Sequence, residues 1–212
     1  MGHQIPSLEF LHTYEKVDYL EALSFMTNKV EGIVQKQQKE LLWFLEHDSL
    51  YTAGSSAKPQ DLLLKNHFPV YQTSRGGQYT YHGPGQRIVY VMLDLARFQH
   101  DVHLFVRFLE TWLIRALALL NVKAFTAPNR VGVWVYHQNQ EKKIAAIGIR
   151  LKRWISFHGI SLNINPALEH FSGIVPCGLK DFGVTSLKEL DKTTCFKEVD
   201  EALKKAFCEM IF

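Results

Sequence analysis

The chain has 212 residues and a formal net charge of +3 at pH 7, with 47% hydrophobic and 21% charged residues. These values are typical of a globular protein with a substantial buried core, and no apolar run approaches the ~20 residues that cross a bilayer. The chain does not begin with a basic segment followed by an apolar one, so we expect no secretory signal. We therefore predict one domain over residues 1–212, located in the cytoplasm and without a membrane partner.

Helical and strand-like periodicities alternate along the chain, which predicts an α/β (α+β) fold with a mixed β-sheet flanked by helices. The first helix carries an apolar stripe, the second begins after Asp101 as N-cap and continues through Leu120, and the third lies near the C-terminus. Strand-like runs cover 41–45, 87–95, 131–136, 144–151 and 156–164, with a polar hairpin connection over 137–141. The inward residues are expected to be Val17, Leu20, Leu23, Met26, Val30, Ile33 and Val34, then Val102, Phe105, Val106, Leu109, Leu113 and Leu117, and finally Val199, Leu203, Ala206 and Phe207.

The most unusual segment is the run RGGQYTYHGPGQ over residues 75–86. Its glycines let backbone N–H groups approach a ligand closely, while Arg75, Thr80 and His82 supply directional polar groups. Such a loop suits an anionic or thioester-bearing ligand. A structural turn that binds nothing is the alternative, and the segment taken alone favours it.

Lys142 and Lys143 lead directly into a small, apolar, strand-like run. Under strict alternation Lys143, Ala145, Ile147 and Ile149 share one face. The residues alone favour a solvated hairpin lysine. The alternative is a lysine that leans over a pocket and lowers the pKa of a nearby thiol.

Cys177 lies between Pro176 and Gly178, in a turn that presents its sulfur rather than packing it. Cys195 follows polar residues and Cys208 lies in the predicted third helix, so both are interpreted as incidental. The odd number of cysteines, without CxxC spacing, argues against disulfides and structural zinc. A buried, inert cysteine is the usual alternative for a single residue of this type.

Basic residues concentrate around one predicted hairpin, at Lys142, Lys143, Arg150, Lys152 and Arg153. A strand edge protected by charge is the simplest interpretation, and a docking surface for an acidic partner is the alternative. No nucleic-acid-binding motif accompanies the charge, so no nucleic acid is expected.

The ten histidines include no HExxH motif, so no metal site is expected. His82 and His158 each precede a glycine. Either histidine orients a substrate or assists proton transfer, or it makes a structural hydrogen bond to the backbone.

Together and in this order, these segments resemble the lipoyl(octanoyl) transferase family. The combination of RGGxxTxHGPGQ with PCG is highly specific, although Arg87 stands where an aliphatic residue is usual. The matching blocks are 46–47 (EH), 51–54 (YTAG), 75–86, 132–134 (GVW), 143–148, 157–163 (FHGISLN), 175–178 (VPCG) and 183–187 (GVTSL).

The resemblance implies a biotin/lipoate ligase-like catalytic fold. It also implies the first step of protein lipoylation, in which an octanoyl group passes from acyl carrier protein to a lysine without a cofactor. The implied acceptors are lipoyl domains of 2-oxoacid dehydrogenases and the glycine cleavage H protein. Cys177 is the implied acyl-thioester nucleophile, and Lys143 the residue that lowers its pKa. The implied substrate-binding residues are Arg75, Gly76, Gly77, Gln78, Tyr79, Thr80, Tyr81, His82, Ala146, Ile147, Gly148, Gly159, Ile160 and Ser161.

Three other functions stay open at this stage. An ATP-dependent lipoate or biotin ligase on the same fold needs no cysteine nucleophile, and the chain has no Walker-type phosphate loop. A cysteine hydrolase would release the acyl group to water. A catalytically silent module would bind the carrier protein without transferring anything.

Overall fold

The computed structural model describes residues 8–175, 182–192 and 195–211. Within them the chain alternates strands and helices, as the periodicities predict. The elements in chain order are β1 (Leu8–Lys16), α1 (Tyr19–Val34), β2 (Glu40–Glu46), β3 (Leu50–Ala53), β4 (Val70–Gln72), β5 (Tyr79–His82), β6 (Gln86–Met92), α2 (Val102–Leu119), β7 (Phe125–Ala127), β8 (Arg130–His137), β9 (Gln140–Lys152), β10 (Ile155–Asn163), β11 (Gly183–Val184) and α3 (Phe196–Ile211).

Two sheets organise these strands. The larger sheet has the order β1-β2-β6-β10-β9-β8-β7, and the smaller one has the order β4-β3-β5. In the larger sheet β1 runs parallel to β2, the strands from β2 through β10 to β7 are antiparallel, and β11 adds in parallel to β9. The predicted mixed sheet is therefore confirmed.

The two faces of the larger sheet bury different helices. Strand alternation along β2 sends Leu42 and Phe44 to the side covered by α2 and α3. It sends Leu41, Trp43 and Leu45 to the side covered by α1. A third apolar cluster, around Tyr51, Tyr81 and Phe171, supports the smaller sheet.

The second helix begins directly after its predicted N-cap. Asp101 caps α2 by accepting hydrogen bonds from His103 N and Leu104 N, and Asp18 caps α1 in the same way. Two inward predictions are wrong, because Leu20 is 55% exposed and Val102 is 38% exposed. In the first helix Tyr19 takes the buried position, and the true stripe continues through Ala22, Met26, Val30 and Ile33. In the second helix Val102 is the first residue, at the exposed end of the stripe.

Periodicity misses the short strands. Residues 79–82 were expected to lie in a loop, yet they form β5, which pairs antiparallel with β3. Strands of three or four residues, such as β3, β4 and β7, carry too few positions to reveal a period. Their pairing depends on partners that are distant in sequence.

The alternation predicted along β9 is also interrupted. Val133 of β8 pairs with Ala145, whereas the next residue, Trp134, pairs with Lys143, so Ile144 is an extra residue in β9. Such a bulge breaks the period of two. As a result, Lys143 does not lie on the face of β9 that carries Ala145, Ile147 and Ile149.

Candidate functional site

A cavity lies where β5 and the loop before it meet β6, β9 and β10 of the larger sheet. Most of the residues implied by the resemblance line it, namely Arg75, Gly76, Gly77, Gln78, Thr80, His82, Ala146, Ile147, Gly148, Gly159, Ile160 and Ser161. Tyr79 and Tyr81 do not line it. Because side chains alternate along β5, Thr80 and His82 face the cavity while the two tyrosines pack into the apolar cluster behind.

Arg75 clamps the glycine-rich loop onto the smaller sheet. Its guanidinium donates to the carbonyl and hydroxyl of Thr52 at 2.9 and 2.7 Å, and to the carbonyls of Gly76 and Gln78 at 2.9 Å each. The side chain is 7% exposed. A buried guanidinium bound to several carbonyls fixes the loop and places positive charge beside the cavity.

Backbone conformation and close packing explain why glycine occupies two positions in the cavity wall. Gly77 has a φ of +86°, a conformation that side chains disfavour. A Cβ on Gly148 would lie 3.0 Å from Cδ of Arg75. A larger residue at this position would therefore require the Arg75 side chain to shift.

Lys143 is buried, contrary to what the residues alone favour. It is 7% exposed, and its Nζ donates to the carbonyl of Val131 at 3.0 Å and lies 4.9 Å from the ring centroid of Trp134. Within residues 8–175, 182–192 and 195–211, no carboxylate lies within ion-pairing distance of this ammonium. A buried cation held by one carbonyl and an aromatic face is unusual, and it makes Lys143 a candidate functional residue.

A second, smaller cavity adjoins the first and brings Lys143 beside it. The two cavities share Thr80, Ala146 and Ser161, and the smaller one is also lined by Gln86, Lys143, Ala145, Asn163, Phe171 and Val184. The lysine thus lines a cavity next to the one that the glycine-rich loop lines.

Cys177 lies outside the described residues. The described chain ends at Val175 and resumes at Phe182, whose ring packs edge-on against Trp134 at 5.5 Å. Val184 then pairs with Lys143 in the sheet. The chain just after the cysteine segment therefore contacts the surroundings of the buried lysine. Of the other cysteines, Cys195 is exposed and Cys208 partly buried.

His82 and His158 both line the larger cavity as neutral imidazoles. Burial lowers the pKa of each to about 3, with neighbouring positive charge contributing in both cases. His82 Nδ1 bonds to Oε1 of Gln86 at 2.7 Å. His158 adopts a φ of +63°, and its buried Nε2 has no hydrogen-bond partner among the described residues. Among the residues that the structure describes, neither side chain bonds to a backbone group, which was one of the two alternatives.

Sequence reasoning missed several residues of the cavity wall. Tyr19, Ile88 and Tyr90 also line it. Tyr90 donates to Nε2 of His47 at 2.7 Å, and Nδ1 of His47 donates to the carbonyl of Val17 at 2.6 Å. Burial raises the pKa of Tyr19 to about 12 and that of Tyr90 well above its usual range. The tyrosines come from α1 and β6, and only the register of these elements brings them to the cavity.

The predicted basic cluster is split by the fold. β9 lies between β10 and β8, so its charges do not protect a sheet edge. Lys142 lies near the β8–β9 turn and Lys152 near the β9–β10 turn, separated by ten residues, or roughly 30 Å of strand. Lys143 is buried between these ends, and Lys152 pairs with Glu31 of α1. These residues do not form one continuous patch.

The residues that the structure describes hold no cluster of three or more His, Cys, Asp or Glu side chains able to bind a metal ion. Helices within the same residues are also too short or too polar to cross a membrane.

Comparisons with known proteins identify the family. The family model of the lipoyl protein ligase A/B catalytic domain matches residues 18–208. The chain is 55% identical over 195 residues to an octanoyltransferase of Parvibaculum lavamentivorans, covering 90% of this chain and 87% of that protein. It is 51% identical over 196 residues to an octanoyltransferase of Ehrlichia chaffeensis, covering 92% of each. This chain belongs to the octanoyltransferase family. It is an acyltransferase, and the resemblance stated from its motifs is confirmed.

Solved structures support the fold. A structure from the analysis of a bipartite lipoate protein ligase and its E2 lipoyl domain from Thermoplasma acidophilum superimposes with a TM-score of 0.67. That match covers 95% of this chain and 84% of the other at 17% identity. The predicted lipoate ligase-like fold is confirmed, and at this identity the likeness concerns the fold alone.

Proposed function

We propose that this acyltransferase moves an octanoyl group from octanoyl-acyl carrier protein to a lysine of a lipoyl domain, through a thioester on Cys177. The observation that carries the proposal is Lys143, a buried ammonium that opens onto the cavity and makes no ion pair in the part of the chain that is described. The identity of about 50% to octanoyltransferases over most of the chain supports octanoyl as the group transferred.

The first half-reaction acylates the cysteine. The Cys177 thiolate attacks the carbonyl carbon of the donor thioester, the new C–S bond forms, and the bond to the carrier sulfur breaks. The Lys143 ammonium stabilises the thiolate before attack and gives a proton to the leaving carrier thiolate. Arg75, Thr80 and the backbone of the glycine-rich loop bind the donor in the cavity.

The second half-reaction transfers the acyl group to nitrogen. The neutral amine of the acceptor lysine attacks the acyl-enzyme, an amide forms, and the bond to the Cys177 sulfur breaks. Lys143, left neutral by the first step, takes the proton of the attacking amine and returns to its starting state. The exchange is balanced without ATP or a cofactor. The acceptors would be lipoyl domains of 2-oxoacid dehydrogenases and the glycine cleavage H protein. Residues 1–212 would act as one catalytic domain, and the reaction would take place in the reducing cytoplasm.

Intact-protein mass analysis tests this proposal. With octanoyl-acyl carrier protein alone, the protein should gain one octanoyl mass that hydroxylamine removes. An apo lipoyl domain should then discharge it as a hydroxylamine-stable amide, with no effect of ATP. Cys177→Ser should abolish the adduct, while the matched Cys195→Ser variant should retain it.

Each alternative gives a different result. Acyl release to water without an acceptor would indicate a hydrolase, and carrier binding without an adduct would indicate a silent binding module. ATP-dependent attachment of free octanoate by Cys177→Ser would indicate a ligase. Any of these three results would overturn the proposal.

A further inference from the structure

A chain of buried side-chain amides connects His82 to the segment after the cysteine. His82 Nδ1 lies 2.7 Å from Oε1 of Gln86, and Nε2 of Gln86 lies 2.9 Å from Oδ1 of Asn163. Nδ2 of Asn163 lies 2.9 Å from the carbonyl oxygen of Thr185. All four residues are at most 9% exposed, so water does not compete for these hydrogen bonds.

The direction of every bond in this chain follows from its last member. A backbone carbonyl only accepts, so Asn163 must present its NH₂ to Thr185 and its oxygen to Gln86. Gln86 must therefore present its NH₂ to Asn163 and its oxygen to His82. Because that oxygen also only accepts, the proton must be on Nδ1 of His82.

The backbone holds both amides in place. Gln86 and Asn163 are cross-strand partners in β6 and β10. Thr185 N donates to the carbonyl of Lys143 at 2.9 Å. Through Gln86 and Asn163, which line the smaller cavity, the same segment is therefore connected both to the imidazole at the larger cavity and to the strand that carries the buried lysine.

We infer that Gln86 and Asn163 are positioning residues that hold His82 as the Nδ1–H tautomer, so that its Nε2 presents a lone pair to the cavity. An Nε2 in this state accepts a hydrogen bond and cannot donate one to an oxyanion. In the proposed function, on which this step rests, Nε2 accepts an N–H of the acceptor amine and directs the amine's lone pair toward the thioester carbon.

Nitrogen-15 NMR of histidine-labelled protein tests the tautomer in the resting enzyme, without any acyl donor. The His82 signal is assigned by its loss in His82→Gln. Wild type should show a protonated Nδ1 and an unprotonated Nε2. Gln86→Met removes the acceptor and should give a mixture of tautomers.

Kinetics test the consequence. Gln86→Met should slow discharge of the acyl-enzyme to the amine about tenfold, the scale of one hydrogen bond. The acylation step should be affected much less than discharge, and the exposed control Gln35→Met should have no effect on either step. Thermal unfolding of each variant checks that the fold is retained.

The outcomes separate the two proposals. An Nε2–H tautomer in wild type, or unchanged tautomer and discharge rate in Gln86→Met, would overturn this inference while leaving acyl transfer intact. The Nδ1–H tautomer in a protein that forms no acyl-enzyme would instead overturn the proposed function and leave the amide chain standing.

Discussion

Of the cations buried among the described residues, Arg87 and Lys143 have sharply different surroundings. Arg87 is 1% exposed and forms an ion pair with Asp200, with Nε to Oδ1 at 2.9 Å. His12 bonds to the same carboxylate, and the guanidinium stacks over Phe196 at 4.4 Å. Lys143 is equally buried but has one backbone carbonyl and the face of Trp134 instead of a carboxylate.

The difference indicates which charge serves the structure and which serves the site. Arg87 joins β6 to α3, and the Asp200 carboxylate offsets part of the loss of hydration, so this charge connects two elements of the fold. Lys143 opens onto a cavity with its charge uncompensated by the described residues. A buried charge without a partner lowers the stability of the fold. In the proposed function this charge is available to a bound thiolate.

The variant Lys143→Met tests this comparison most directly. Octanoyl transfer should fall by ~10²–10⁴-fold, the usual contribution of a positioned acid–base group. The free energy of unfolding should change by less than about 1 kcal/mol, because a buried ammonium is replaced by an apolar side chain of similar length. Transfer assays and urea unfolding measure the two effects. Lys142→Met is the matched control, and a large loss of stability with normal transfer would reverse the assignment.

Asp200→Leu should give the opposite pattern. Removing the partner leaves the Arg87 guanidinium buried and uncompensated, which costs ~3–5 kcal/mol of unfolding free energy. The double variant Arg87→Met with Asp200→Leu should recover most of that loss. Transfer measured per folded molecule should be unchanged in both. If the single variant unfolds at the wild-type denaturant concentration, the pair contributes nothing to the fold.

The pH dependence of stability distinguishes the two regions. His82 and His158 keep a pKa of about 3 in the fold, below the ~6.5 of an unfolded histidine. Their contribution is complete above pH ~6.5 and is lost as the pH falls toward 3, by up to ~1.4 kcal/mol per pH unit for each. Burial raises the pKa of Asp200. In more acidic solution this shift has the opposite effect on stability, because its contribution decreases as the pH rises.

Urea unfolding between pH 7 and 5 measures this slope. His158→Gln should reduce the slope of the unfolding free energy against pH by the contribution of one titrating histidine. A slope that is the same in the variant and in wild type would mean that His158 titrates alike in the folded and unfolded protein.

The smallest expected effect concerns the aromatic face over Lys143. Trp134→Phe keeps a ring but weakens the cation–π contact, which contributes ~0.5–1 kcal/mol. Transfer should fall about two- to fivefold. Trp154→Phe, at a 45% exposed position, is the control and should leave the rate unchanged. An equal decrease in both variants would show that the ring acts only through general packing.

The helices were predictable because their signals are local. Asp101 accepts hydrogen bonds from backbone groups two and three residues away, and the buried positions of α3 repeat along its own turns. The strands β2, β6, β8, β9 and β10 were visible for the same reason, whereas the nine-residue β1 was not predicted. β5 was not, because four residues carry no period and its pairing with β3 joins positions about thirty apart in the chain.

The site divides in the same way. The sequence by itself determined which residue types were available: glycines that allow close backbone approach, a histidine and an arginine beside them, and a lysine at the start of an apolar strand-like run. Only the formation of β5 separated Thr80 and His82 from Tyr79 and Tyr81. Only the tertiary structure buried Lys143, through the bulge opposite Trp134. It also joined Gln86 to Asn163 across strands 77 residues apart. Propensity and periodicity act over a few residues, whereas burial and hydrogen-bond register depend on which strands become neighbours.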